Sequence, residues 1–221
     1  MRIVSGAGLE PQYHLGRLRR LPATLDVTQH AYDELPAMAV KPSGALWTAP
    51  ATHDDDQGVA TAWSDHYQQT ELASTRADRL SPGYRLAHPL RQLRVVPAPQ
   101  ARVLVLDSLD DAVTAQQAWP AEHGRLSFPA VAADGVDAVW VRPGALTDTW
   151  DNLRDPHRPH AGVRAQLYGW DVESVAWLTT THLTTGSRRR VRPAPENPLV
   201  AELRQRGLLE PAPRRRRGGR R

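Results

Sequence analysis

The chain contains no cysteine, which excludes disulfides, thiolate metal sites and a cysteine nucleophile. It holds one lysine against 27 arginines, a single phenylalanine and two methionines. No apolar run approaches the ~20 residues that a membrane-spanning helix needs, and the N-terminus lacks a basic segment followed by a long apolar one. The sequence therefore predicts a cytoplasmic protein with no membrane partner. Nine histidines are present, yet none pairs at helical ligand spacing beside an acid in the zinc-hydrolase pattern. The nearest approach is Asp155-Pro156-His157-Arg158-Pro159-His160, where two prolines impose a solvated turn. No metal is expected.

What remains is a chain of 221 residues, 40% apolar and 24% charged, long enough for one cored domain with polar extensions. Its net charge of +4 is unevenly spread. Arg188, Arg189, Arg190 and Arg192 form one cluster, and Arg214, Arg215, Arg216 and Arg217 with Arg220 and Arg221 form another. Without everything from Gly186 onward the body is acidic to neutral. The reading is thus a domain over 1–185 and a disordered Pro/Arg-rich tail over 186–221 with a short helix from Pro198 to Leu209. Such a tail attracts phosphates without reading bases.

Along the domain, Gln12 to Gly16 reads as a short strand, and Ala45 to Thr48 as a second, entered through Pro42-Ser43-Gly44 and closed by Pro50. Asp54 to Gly58 reads as an exposed acidic loop. Ala60 to Ala73 fits a helix with Trp63 and Tyr67 on one face. Four prolines between 81 and 100 predict an extended or irregular stretch. Ala101 to Leu106 alternates and is β-branched, so it is the best strand candidate. A helix from Leu109 to Trp119 follows, capped by Asp107 or Ser108 and ended by Pro120. Asp134-Gly135 turns into a strand from Val136 to Val141, and 146–154 reads as a helical turn or loop. Val172 to Trp177 alternates as a strand with an acid on one face. Short strands with few, separated helices predict an α+β fold: a single domain with a small split β-sheet core.

Three places join polar chemistry to a strand or turn: Tyr13-His14, the run from Lys41 to Thr48, and Trp170 to Ser174. In that order, His first, a Ser/Thr-bearing aromatic strand second and a glutamate strand last, the chain resembles the ADP-ribosyltransferase-like superfamily of bacterial or phage type. The resemblance covers roughly residues 12 to 185 and implies a split-sheet α+β core that grips NAD in a cleft. It implies that His14 anchors ribose or phosphate, that Thr48 frames the nicotinamide, and that Glu173 holds a ribose hydroxyl as the glycosidic bond breaks. Two departures stand out: Trp47-Thr48-Ala49 lacks the second serine of many toxin-type members, and Asp171 stands where many protein-modifying members carry Glu or Gln.

The residue chemistry runs parallel. A carboxylate near the ribose stabilises positive charge as it develops, and an acid among Trp170, Val172, Val175 and Trp177 needs a partner or a purpose. Trp47, Trp63 or Trp170 could wall a flat ring, while Lys41 and Arg17 could meet a pyrophosphate. The expected function is an NAD-dependent ADP-ribosyltransferase or NAD glycohydrolase. The alternative is a non-enzymatic nucleic-acid-binding or partner-binding protein acting through its arginine-rich C-terminus, Arg214 to Arg217. Each residue also has an ordinary role open to it: His14 as a strand histidine bonded to backbone, Trp47 and Trp63 as core, and Lys41 as a solvated turn residue.

Overall fold

Val103, Leu104, Val105 and Leu106 are all buried, so their strand needs neighbours on both edges and layers on both faces. The computed structural model, which describes residues 1–29, 42–73, 90–121, 125–146, 170, 172–193 and 206, supplies both. In chain order its strands are β1 (Arg2–Ser5), β2 (Gln12–Leu15), β3 (Thr28–Gln29), β4 (Pro42–Ser43), β5 (Leu46–Asp55), β6 (Gly58–Thr61) and β7 (Arg91–Pro97). They continue with β8 (Arg102–Leu106), β9 (Pro120–Ala121), β10 (Arg125–Leu126), β11 (Ala138–Val141), β12 (Ser174–Trp177) and β13 (Leu183–Arg190). The helices are α1 (Ala62–Ala73), α2 (Leu109–Ala118) and α3 (Phe128–Ala133).

Eight strands run in the order β1-β8-β11-β12-β5-β2-β7-β13, and β6 pairs with β5 as a ninth. β5 joins the two halves. Its beginning pairs with β12 through Thr48 opposite Val175, its middle with β2 through Ala49 opposite Tyr13, and its end with β6. Past β13, Val191 bridges Val59 and the Arg192 amide donates to the Val59 carbonyl at 2.8 Å. The second half thereby returns on itself as a small barrel of β5, β2, β7, β13 and β6. The fold is α+β, as the sequence predicts.

One face of the first half is covered by helices: Leu104, Leu106, Val139, Val141 and Ala176 pack with Leu109, Ala112 and Ala115 of α2 and Phe128 and Val131 of α3. Ser108 caps α2 and Ser127 caps α3, each satisfying an amide that the first helical turn leaves open. The other face carries Leu46, Val103, Val105, Ala138, Val175 and Trp177, overlaid by Leu9, Leu18, Leu21, Leu25 and Leu183. Burying each such aliphatic chain contributes about 1.5–3 kcal/mol. Among the described residues no helix is long and apolar enough to cross a membrane.

Several boundaries differ from expectation. β5 does not stop at Pro50 but continues to Asp55. Pairing with β12 reaches Thr48 and pairing with β6 starts at Ala51, so on that edge proline stands between partners, where no amide donor is called for. The stretch expected to be irregular holds β7, seated between β2 and β13; its only proline, Pro97, ends it. The domain does not end at 185 either. β13 runs to Arg190, with Arg188 opposite Leu93 and Arg190 opposite Arg91, because arginine stems lie along a strand while their heads reach water. The shortest strand of interest, β12, begins at Ser174 and leaves Glu173 in the bend before it. Most of the expected tail, including Pro198 to Leu209 and Arg214 to Arg217, lies outside the described residues apart from Arg206.

Candidate functional site

His14, Thr48 and Glu173 belong to β2, β5 and the entry to β12, three consecutive strands. Residues directly opposite in a ladder project to the same face. Thr48 stands opposite Val175, and the β2–β5 register of Gln12 with Pro50 and Tyr13 with Ala49 brings His14 opposite Thr48 one residue on. The row extends both ways, through Trp140 opposite Val175 and through Leu93 opposite His14 and Arg188. Glu173, two residues before Val175, belongs to the next row on that face. A direct contact fixes this: Trp140 donates from Nε1 to Glu173 Oε1 at 3.0 Å.

Glu173 is half-buried, and burial pushes its carboxyl above the usual carboxylate range. The Trp140 hydrogen bond and the Arg142 charge act in the opposite direction, while Asp107 adds to the rise. Asp107 in turn is clamped by two guanidiniums, Arg142 at 2.9 Å and Arg2 at 2.9 Å. The Arg142 guanidinium also lies 5.2 Å from the Trp140 ring centre, within cation–π range. These groups stand at the C-terminal ends of β8 and β11, the one parallel pair in the large sheet.

His14 donates from Nδ1 to the Trp47 carbonyl at 2.8 Å, since a carbonyl can only accept. Burial lowers its pKa, the backbone bond opposes that, and the nearby Arg188 charge lowers it further. The imidazole is therefore neutral near pH 7, with Nε2 as an acceptor. Gly16 makes room for it: a Cβ there would stand 2.4 Å from Nε2. Thr48 is buried, and its Oγ1 accepts from Trp177 Nε1 at 2.9 Å. Its own hydroxyl proton is left to donate.

The aromatic residues singled out from the sequence do not join this face. Trp47 packs into the helix-side core, its ring edge-on to Trp170 at 4.7 Å; what it contributes to His14 is its backbone carbonyl. Trp170 is itself buried there, stacked on Phe128 at 6.4 Å. Trp63 rides on α1, edge-on to His66 at 6.0 Å, against β5 and β6. Arg17 is exposed. Lys41 and Asp171 lie outside the described residues.

The sequence does not single out Trp140, Arg142 and Arg2, and it presents Asp107 and Arg188 as a helix cap and as part of a basic cluster, not as neighbours of this site. The available signal was the Trp140-Val141-Arg142 alternation, which sets an indole and a guanidinium on one side of a strand. A cavity of about 10 Å³ lined by Leu106, Ala112, Leu126, Phe128, Val139, Val141 and Trp170 lies on the opposite, helix-covered face, holds at most a water, and takes no part in the site. No cluster of three or more His, Asp or Glu able to hold a metal occurs among the described residues. Compared with protein-family models, curated proteins and solved structures, the chain matches none of them.

Proposed function

We propose that the chain is an NAD-consuming enzyme, an ADP-ribosyltransferase or NAD glycohydrolase that breaks the bond between nicotinamide and ribose. The observation that carries this reading is the common face of His14 on β2, Thr48 on the adjacent β5 and Glu173 in the bend that leads into the adjacent β12. Segments far apart in the chain contribute them, and a binding scaffold has no need of that convergence.

The bond electrons leave with the nicotinamide ring nitrogen, cancelling its positive charge, and the ribose carbon becomes electron-poor. Glu173 accepts a hydrogen bond from a ribose hydroxyl and stabilises the sugar as positive charge builds. Water or an acceptor nucleophile then bonds to that carbon and gives up its proton to solvent. The carboxylate must be ionised for this, and Trp140 with Arg142 opposes the rise that burial imposes. Neutral His14 offers Nε2 to a second hydroxyl, and Arg188 brings positive charge beside it. Lys41, as a pyrophosphate contact, and a cytoplasmic location belong to the same reading.

Incubating the purified protein with NAD and measuring free nicotinamide tests it. Glu173→Gln should abolish release while NAD affinity stays within a few-fold, because the change deletes charge and little volume. Release by that variant at the wild-type rate rejects the role.

A further inference from the structure

Arg190 stands directly opposite Arg91 in the β13–β7 ladder, and both are exposed. Like charges facing each other in an antiparallel pair destabilise it, so the usual arrangement supplies a carboxylate. Here the nearby acids are already taken: Arg189 pairs with Asp54 at 2.8 Å and Arg192 with Asp55 at 2.7 Å. Neither Arg91 nor Arg190 has an ion pair among the described residues. The segment after β2 adds to this charge. Arg188 reaches the Gly16 carbonyl at 3.5 Å and the Leu21 amide lies 3.5 Å from Thr185 Oγ1, so residues 16–21 run alongside β13. They bring exposed Arg19 and Arg20 with them.

We infer that this surface, centred on Arg91 and Arg190 and flanked by Arg19 and Arg20, binds the phosphate backbone of a nucleic acid. A phosphate between two facing guanidiniums removes their repulsion and uses the fork geometry that arginine offers to phosphate oxygens. With exposed Arg19 and Arg20 bordering β13, the positive charge extends beyond one pair, as a polymer of phosphates requires and a single anion does not. Stable attachment to a lipid surface would also need an apolar anchor, while an acidic peptide, which arginine clusters can also hold, is separated by the competition arm of the test. The exposed large hydrophobics of the described residues are Met1, just before β1, and Ile3 on it, at the opposite edge of the sheet. The inference stands whether or not NAD is cleaved.

The test measures binding of a short fluorescein-labelled DNA strand and its duplex to the full chain by anisotropy across a salt series. Arg91→Gln with Arg190→Gln should weaken binding to at least one form and lower the salt slope by about 0.9 on a duplex or about 0.7 on a single strand, the share of the one phosphate that the pair holds. The same loss should appear in a background where Arg214, Arg215, Arg216 and Arg217 are already Gln, which separates the folded surface from the terminal cluster. Without DNA and at low salt the double variant should unfold at a higher temperature than wild type, because the facing charges are gone. Wild-type affinity and slope in the double variant overturn the inference, and so does equal competition by polyglutamate at matched charge, which would make the surface a general acid-binding one.

Discussion

Trp140 on β11 and Glu173 in the bend before β12 lie 33 positions apart and meet through a single hydrogen bond, indole Nε1 to carboxylate Oε1 at 3.0 Å. Among the described residues that indole is the only side chain donating to the acid. Burial raises the Glu173 pKa, and the indole and Arg142 hold it down. A half-buried acid with one donor keeps its second oxygen for something else. The tuning of the acid therefore depends on an indole that packs against the Val105 and Val175 cluster and carries a guanidinium over its ring.

Trp140→Phe keeps the ring and removes the donor. The Glu173 carboxyl should then titrate at higher pH than in wild type. By NMR titration this is visible without substrate, and in NAD cleavage the acidic limb of the rate profile should move the same way. An unchanged titration would mean that the indole contact does not tune the acid.

The raised pKa also carries a sign for stability. A carboxyl that ionises less readily folded than unfolded binds more protons in the native state over the intervening pH range, so stability falls as pH rises from about 4.3 through the folded value and stays lower above it. Glu173→Gln removes that penalty and keeps an amide oxygen to accept from Trp140. Its melting temperature should exceed that of wild type at pH 8, and the two should converge below pH 4. A variant less stable than wild type at pH 8 would show that ionised Glu173 is a net support of the fold.

The parts of this architecture written locally in the sequence were legible. The strand read as Ala101 to Leu106, which the structure starts at Arg102, the cap read as Asp107 or Ser108, which is Ser108, and the Asp134-Gly135 turn each depend on residues a few positions apart. Pairing across the sheet was not legible, because register is decided by partners distant in the chain. Counting prolines hid β7, although 91–96 has none, and counting arginines hid the end of β13, although Arg188 and Arg190 alternate as a strand requires. In the site, Glu173 announced itself as an acid among apolar residues. Trp140 did not, since only the β11–β12 pairing brings it to the carboxylate. Trp47 reads as a flat wall beside Thr48, yet adjacent strand residues point to opposite faces, and its ring goes to the other core.

Thr48 offers a separation between structural and catalytic duty. Its Oγ1 is the acceptor for the buried Trp177 indole, so Thr48→Val leaves that donor unsatisfied and should cost about 1–3 kcal/mol in urea unfolding. Thr48→Ser restores the oxygen and should recover most of the loss. If nicotinamide release tracks the same order after correction for folded fraction, the hydroxyl also serves the reaction. If both variants release nicotinamide normally per folded molecule, Thr48 is a core residue alone.

Gly16 controls His14 from below. Its backbone is in an ordinary conformation, so Gly16→Ala adds no dihedral strain; what it adds is a methyl 2.4 Å from the imidazole Nε2, which drives the ring off the Trp47 carbonyl. In wild type the His14 pKa is lowered by burial, so between that value and about 6.5 the unfolded chain takes up a proton that the native state refuses. Stability is then lost as pH falls through this window and is recovered above it. In Gly16→Ala the displaced, more solvated ring should titrate nearer 6.5, this acid-side loss should shrink, and NAD should bind more weakly at pH 7. Histidine NMR titration of both proteins measures the first effect and isothermal calorimetry the third. A Gly16→Ala protein whose His14 still titrates as in wild type would show that the ring does not depend on the space above this glycine.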